Sequence, residues 1–513
     1  MKERQRAAGQ THGPFGGFLT YIWLFCGLFV LYLLLSPYVR LDGTSAAYYP
    51  AFLPYEGDGL VRFFMAVSLL LALLLTVYWA LGHQLTFQRG VSLLLFAGIL
   101  LRFGYMLYTP FFVRGHDVST LDGYGHLAYI YRLFAGEGLA DTSAGQYYHP
   151  PLDHLAAALT ARLFAFLTGE TKQDTIFEAC RLVPCFASSA LLILSYRLFQ
   201  ALGFSKRAVL LAVSIVAFHP TFVLLSASIN NDMLMIFFFM AAFLYTVRWY
   251  GAPTYRNILI IAVFIGCAMM TKLSGALMAF YTGFVFLLVL AQRLRTRSAL
   301  PLFGQFAAFS AVCFPLGLWY PLRNLRLFGQ PLGYVAPISV TSQLYVGDRP
   351  PSERFLTFSL RQMLQTPFCD PFSDTRLWEY AVRCALFGEF VFPARHEPVA
   401  RALIVFSLAL IVISLGAMLF FLFFARREER FAVRSFAAVW AILIASFIFF
   451  NIQYPFGCTM DFRYIVPTVI TGAAFLGLLL ERLRGGGLKA AGAVALCSVS
   501  GAFCLLSAVF FII

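Results

Sequence analysis

The chain has 513 residues, of which 60 % are hydrophobic, 17 % aromatic and only 12 % charged, with a formal net charge of +14. Ordinary soluble domains carry about a quarter charged residues and about 45–50 % apolar ones, so a soluble enzyme, a disordered chain and a disulfide-stapled secreted fold are all excluded. What remains is an all-α polytopic membrane protein: 57 Phe and 25 Tyr suit packing against lipid, and the basic residues fall in short clusters between apolar stretches rather than in one patch. The ten Cys are scattered, several inside apolar runs (Cys26, Cys267, Cys497), and no C-x-x-C pair points to zinc or a disulfide framework.

A membrane helix needs about 20 mainly apolar residues, because each backbone polar group must be satisfied within the segment. Such stretches lie near 17–36, 61–81, 91–109, 182–202, 207–227, 232–250, 256–270, 274–291 and 301–319, and resume near 401–424, 432–450, 463–481 and 488–512. The expectation is thus about thirteen spans. One further segment, Asp153 to Gly169, is short and interrupted by Arg162. Charge parity decides its placement. With this segment lying in the interface, one set of short loops collects Lys2/Arg4/Arg6, Lys206/Arg207, Arg248/Arg256, Arg293/Arg295/Arg297, Arg426/Arg427/Arg430 and Arg482/Arg484/Lys489, as the positive-inside rule requires. With it spanning, the clusters before and after it fall on opposite sides. The N-terminus is therefore expected in the cytoplasm and the C-terminus outside. The first apolar segment is too long for a signal-peptide core and lacks a small-residue cleavage site after it. No internal repeat is evident.

This topology places two long polar stretches on the outer face, about Pro110–Arg181 and about Tyr320–Ala400. Long loops in compact proteins carry function more often than not. The first gathers Asp117, Asp122, His126, Tyr129 and His149 just beyond a span. A carboxylate here can act as general base on a hydroxyl or amine, or hold a divalent cation. On a helix, Asp122 and His126 would share one face; alternatively these residues only solvate the loop and cap the next helix. From Tyr147-Tyr-His149-Pro-Pro-Leu152 an amphipathic segment begins, with Leu155, Leu159, Leu163, Phe164 and Leu167 suited to a helix lying flat at the outer leaflet.

Four further features sit at span ends on the same side. Asn230-Asn231-Asp232 opens one span, where Asp232 either caps the helix or contacts substrate. Lys272 interrupts two apolar runs, Arg323-Asn324 follows another, and Asp461-Phe-Arg463-Tyr464 opens a fourth. Cations at such depth need anionic partners, which a phosphate-bearing lipid or an internal carboxylate can supply. The second loop carries Trp378-Glu379 and Phe387-Gly-Glu389 among many aromatics and suits a partly ordered cap contacting an acceptor. No Walker-type loop or dinucleotide fingerprint supports nucleotide use, and nothing in the pattern indicates nucleic acid.

Taken in order, these motifs resemble the GT-C superfamily of integral-membrane glycosyltransferases, and within it the dolichyl- or polyprenyl-phosphate-mannose-protein mannosyltransferase-like branch. The resemblance rests on Asp122-Gly-Tyr-Gly-His126, His149-Pro-Pro-Leu152, Asn230-Asn-Asp232, Thr271-Lys272, Arg323-Asn324 with Phe328-Gly-Gln-Pro331, and Arg463-Tyr464 with Pro467. It covers roughly residues 91–482. The tail and first two spans (1–90) and the last span (483–513) lie outside it. The resemblance implies an extracytoplasmic, inverting sugar transfer from a polyprenyl- or dolichyl-phosphate donor to a protein, glycan or lipid acceptor. In that scheme Asp122 is the general base, with Asp117 as substitute because the family's Asp-Glu pair is Asp122-Gly123 here. Lys272, Arg323 and Arg463 would offset charge on the leaving phosphate. His126, His149, Asn231, Asp232 and Tyr464 would shape the substrate pocket. No cofactor is firmly implied; a divalent cation is possible, though no metal ligand set is required. A bacterial plasma membrane is the expected location, with endoplasmic reticulum the alternative. The competing class is a multi-pass transporter or flippase for a lipid-linked or anionic substrate. Transporters commonly show repeated halves and midplane sites, whereas here the polar residues cluster at one surface.

Overall fold

An apolar chain in a bilayer has no water to satisfy its amides, so its spanning segments become helices, and all thirteen expected stretches are helical. The computed structural model describes residues 17–39, 59–113 and 115–513; the Lys2/Arg4/Arg6 cluster lies outside them. Among the described residues ten helices are long and apolar enough to cross a membrane, or up to 12 when each of two bent pairs counts as one span. The count of thirteen is therefore not reached on length alone. The remaining stretch, Tyr255–Thr271, is a helix of 17 residues. Several spans turn large apolar side chains outward, Trp23, Leu74, Phe284 and Phe423 among them, which suits contact with lipid tails. Among the described residues the only β-type pairing is an isolated bridge between Tyr345 and Phe456.

The chain forms two compact units. The first combines Met1–Leu33, Gly115–Gly203 and Ser228–Pro337. Its Asp232–Gly251 helix packs against Leu182–Ala201 and Tyr255–Thr271, and the latter packs against Leu300–Phe328. Close approach of that last pair depends on small residues: a Cβ at Gly266 would lie 2.7 Å from Leu316, and one at Gly317 2.8 Å from Met269. Buried polar contacts join neighbouring helices, with Trp249 Nε1 donating to Gln305 Oε1 at 2.8 Å and the Thr246 and Thr282 hydroxyls 3.0 Å apart.

The stretch Pro110–Arg181, expected as an outer loop carrying one amphipathic helix, holds three α-helices: His126–Ala135, Leu152–Thr168 and Gln173–Glu178. Its last residues continue into the next span, so one apolar helical stretch runs Gln173–Ala201. The Leu152–Thr168 helix is not among the long apolar spans. Leu155, Leu159, Leu163 and Leu167 are exposed, as the amphipathic reading requires, but Phe164 is buried together with Asp153, His154, Ala157 and Ala161. The buried face of this helix thus begins with two ionisable residues, Asp153 and His154.

The second unit combines Leu34–Arg114, Phe204–Ala227 and Ile338–Ile513. Here the stretch expected near 207–227 bends by 51° between Lys206–Phe218 and Pro220–Ala227. Pro220 has no N–H to give Val216, and the Thr221 N–H turns to His219 Nδ1, so two carbonyls lose their helical partners. Arg102, wholly buried inside the span Phe87–Tyr108, repairs the break. Its guanidinium donates to Val216 O at 2.9 Å, Ala217 O at 2.8 Å and Gly98 O at 2.7 Å. The second bend, 48°, separates Gly457–Ile465 from Thr468–Arg482 at Pro467.

Candidate active site

The first polar loop is folded by its glycines. Asp117 and Ser119 adopt positive φ (54° and 62°), and the chain then turns through Asp122 and Gly123 into the helix that starts at His126. Asp122 and His126 therefore do not share a helix face: Asp122 lies in the preceding turn. The loop caps that helix itself, since His126 N–H donates to Asp117 O at 2.9 Å and Leu127 N–H to Val118 O at 3.0 Å. Gly125 permits this, because a Cβ there would lie 2.3 Å from the Val118 oxygen and 2.5 Å from the Asp117 oxygen. Gly145 (φ 54°) permits the next closure, with Gln146 N–H on Tyr124 O at 2.7 Å. Both aspartate side chains are exposed, and Asp122 makes no hydrogen bond or ion pair among the described residues. No grouping of three metal-ligand atoms forms among Asp117, Asp122, His126 and His149.

Behind this loop lies a buried stack of rings. The His126 and His149 rings are parallel with centroids 5.6 Å apart, as are His126 and His154 at 5.1 Å. His126 Nδ1 and His154 Nε2 are 2.9 Å apart, so one nitrogen must carry a proton and the other accept it. Burial, reinforced by His126, holds His154 well below the usual imidazole range and so keeps it neutral. Tyr129 stacks on His154 at 4.4 Å, and its hydroxyl lies 2.9 Å from that of Tyr320. The Tyr320 hydroxyl is also 2.6 Å from Tyr147 O, which fixes the directions: Tyr320 donates to Tyr147 O and accepts from Tyr129.

At the end of the same helix, Arg323 donates to Ala140 O at 2.8 Å and to Asn324 Oδ1 at 3.0 Å, and its guanidinium lies over Tyr320 and Phe328. Among the described residues no carboxylate pairs with it. Asn324 Nδ2 reaches Tyr148 O at 3.4 Å. The Leu300–Phe328 helix end and the segment leading into His149-Pro-Pro are thereby tied together.

The other two expected cations have internal partners. Lys272 Nζ is 2.5 Å from Asp232 Oδ1, with Asp232 only 1 % exposed. The capping contact at this helix start comes from Asn230, whose Oδ1 accepts from Asp232 N–H at 3.1 Å, leaving the Asp232 carboxylate for the ion pair. Asn231 Nδ2 donates to Thr271 O at 3.2 Å, satisfying a carbonyl freed where the chain turns extended at Lys272. In the second unit Arg463 Nε lies 3.2 Å from Asp461 Oδ2, and Asp461 Oδ1 accepts from Arg463 N–H at 2.8 Å and from the Cys384 thiol at 2.9 Å. Tyr464 packs on Phe450 and beneath Arg463. Glu379 and Glu389 of the second loop are both engaged internally: Glu379 accepts from Ser359 N–H and Arg376, and Glu389 from the Tyr380 hydroxyl.

Sequence reasoning missed Asp153 and His154, which follow His149-Pro-Pro-Leu directly, and Tyr129, Tyr147 and Tyr320 as a connected set. The available signal was Asp153-His154 itself: two ionisable residues opening an otherwise apolar helix need buried partners or water.

Fold and polar clusters together define a polytopic helical membrane protein that concentrates its ionisable side chains at the ends of its helices. The family model for dolichyl-phosphate-mannose-protein mannosyltransferases matches residues 148–317. That range begins beside His149-Pro-Pro and includes Asp232 and Lys272, and the resemblance read from the ordered motifs to GT-C glycosyltransferases stands with it. No match to the chain is found among curated proteins. Solved structures similar to it include the S. cerevisiae protein O-mannosyltransferase Pmt1-Pmt2 complex bound to the sugar donor, at 18 % identity and TM-score 0.35 over 51 % of this chain and 36 % of that one. The Archaeoglobus fulgidus oligosaccharyltransferase is similar at 12 % identity and TM-score 0.47 over 82 % of this chain and 56 % of that one. ArnT from Cupriavidus metallidurans is similar at 12 % identity and TM-score 0.47 over 82 % and 75 %. The chain spans about a third of the length of the yeast protein and just over half of the archaeal one.

Proposed function

We propose that this protein is a membrane glycosyltransferase that moves a hexose, of mannosyl type, from a polyprenyl- or dolichyl-phosphate donor to a protein, glycan or lipid acceptor on the extracytoplasmic side. The match of residues 148–317 to a mannosyltransferase family carries this reading. The exposed, unpaired Asp122 beside the buried ring stack supports its chemistry. In the reaction an acceptor oxygen attacks the anomeric carbon from the face opposite the phosphate. Asp122 takes the acceptor's proton, the carbon–oxygen bond to phosphate breaks, and the sugar inverts. Arg323, which has no carboxylate partner, offsets charge on the departing lipid phosphate, and Lys272 joins it by leaving Asp232. His126 and His149 line the pocket from the stack beneath the loop. The positive-inside pattern supports a cytoplasmic N-terminus, and a bacterial plasma membrane is the proposed location.

The test is sugar transfer by the full chain in liposomes, offered a small panel of radiolabelled polyprenyl-phosphate sugars. Wild type is expected to transfer or hydrolyse one donor, Asp122→Asn to be inactive and Asp117→Asn to retain most activity. Loss in Asp117→Asn alone would move the base to Asp117. Label crossing between leaflets without turnover would refute the transferase reading in favour of a flippase.

A further inference from the structure

The reaction just described gives no role to the short helices of the second polar stretch, yet they carry an unusual surface. Leu356 is 81 % exposed, Phe358 47 % and Leu360 44 %, where the helix Pro351–Leu356 gives way to the helix Leu360–Gln365. Single exposed apolar side chains are ordinary, but three so close together form a patch that calls for an apolar partner. The Leu360–Gln365 helix packs against Glu397–Phe424, and Arg401 Nε donates to Leu364 O at 2.9 Å. Between the two helices opens a cleft of about 680 Å³, lined by Leu360, Arg361, Leu364, Gln365 and Arg401. That volume lies in the range of small-ligand sites.

The level of this cleft in a bilayer follows from the helix that carries Arg401. Arg401 is the last charge before residues 402–424, an uncharged run that is helical throughout. This run rises about 34 Å at about 1.5 Å per residue, slightly more than the ~30 Å of a hydrocarbon core. The next charges are Arg426 and Arg427. With the run spanning the core, Arg401 stands at the plane of the lipid phosphates on one side and Arg426 on the other. Leu360 shares the cleft with Arg401, so the exposed apolar patch lies at the same membrane boundary, where lipid chains begin.

The lining holds two cations and no acid. The Arg361 side chain is exposed and makes no hydrogen bond, ion pair or ring contact among the described residues. Arg401 pairs with Glu397 at 2.6 Å, but the two side chains are 46 % and 38 % exposed. An ion pair so open to water holds its members weakly, which leaves Arg401 able to share its guanidinium with a second anion. Guanidinium groups over leucine side chains suit a ligand with a phosphate at one end and hydrocarbon at the other. We propose that this cleft binds an anionic phospholipid of the leaflet on which the second polar stretch lies. Arg361 and Arg401 hold its phosphate, Gln365 offers an amide to the headgroup, and Leu360 and Leu364 receive the start of its chains. The surplus of positive charge selects a headgroup of net negative charge over a zwitterionic one. The site lies wholly within the second unit and is independent of the transferase reading.

The test is photolabelling of the full chain in phosphatidylcholine liposomes. A trace of phosphatidylglycerol or of phosphatidylcholine is added, each with a photoreactive group in the chain near the headgroup, and the labelled residues are read by peptide mass spectrometry. The phosphatidylglycerol probe is expected to label residues 356–365 and the start of the Glu397–Phe424 helix several-fold more than the phosphatidylcholine probe. Arg361→Gln is expected to lower that labelling about fivefold, the loss due to one cation at a lipid surface. Its unfolding midpoint should match wild type, because Arg361 has no internal partner to lose. Arg427→Gln removes an exposed charge beyond the far end of the same helix and is expected to leave the labelling unchanged. Equal labelling by the two probes overturns the proposal, as does labelling that Arg361→Gln leaves intact or that Arg427→Gln lowers equally. Displacement of the probe by inorganic phosphate as readily as by unlabelled phosphatidylglycerol overturns it too, since the cleft would then be a site for free anions rather than for lipid.

Discussion

Replacing Lys272 with Met tests how much of the first unit depends on one ion pair. Asp232 is 1 % exposed and its Oδ1 lies 2.5 Å from Lys272 Nζ, so the substitution removes the ammonium from a carboxylate that water cannot reach. Removing one member of a buried pair costs about 3–5 kcal/mol, mostly through the charge left behind. Asp232→Asn should cost less, about 1–3 kcal/mol, because the Lys272 side chain is 13 % exposed and its long stem can carry the ammonium toward water. The double variant removes both charges and should lie well above the sum of the single losses, with a coupling energy of about 2–3 kcal/mol. Unfolding of the full chain in mixed micelles across this cycle gives all three numbers. Additive single losses, or a Lys272→Met variant within about 1 kcal/mol of wild type, would refute the view of this pair as buried and mutually dependent. Transfer activity separates the two roles of Lys272. The double variant should regain the fold and remain inactive, since restoring charge balance does not restore an ammonium for the phosphate.

Other outcomes follow from the same geometry. Gly145→Ala puts a Cβ 2.0 Å from Tyr124 O at a φ of 54°, whereas Gly138→Ala meets nothing within 4 Å at a φ of 75°. Both pay for the left-handed backbone, about 1 kcal/mol, but only Gly145→Ala should open the loop, and limited proteolysis around residues 136–150 together with loss of transfer would reveal it. Equal behaviour of the two would remove close packing as the reason for Gly145. Arg102→Met should orphan the Val216 and Ala217 carbonyls at the Pro220 bend, at about 1–3 kcal/mol each, measured as a lower unfolding midpoint; an unchanged midpoint would show that other groups satisfy the bend.

How much of this was legible in the sequence depended on the range of the interaction. The spans were, because about 20 apolar residues in lipid leave the backbone only one solution. Breaks within spans were only half legible. Pro220 and Pro467 stand in the sequence, but whether a proline ends, bends or merely kinks a span depends on who satisfies the freed carbonyls, and Arg102 lies more than a hundred residues from the carbonyls it serves. The loop was misjudged for a local reason: a helical i,i+4 reading of Asp122 and His126 ignored Gly123 and Gly125, which mark a turn. The ring stack could not be foreseen, because Tyr320 meets Tyr129 only after the chain has crossed several spans.

The cations teach the sharper point. Sequence alone grouped Lys272, Arg323 and Arg463 as three equivalent anion ligands, since each interrupts apolar chain at a helix end. The structure separates them by partner. Lys272 and Arg463 sit on buried aspartates, while Arg323 is held by a carbonyl, an amide and two ring faces, none of which neutralises its charge. Under the proposed reaction a lipid phosphate would therefore meet the charge of Arg323 directly, whereas Lys272 would first have to leave Asp232, so a ligand that draws only on Arg323 would lack the second contact.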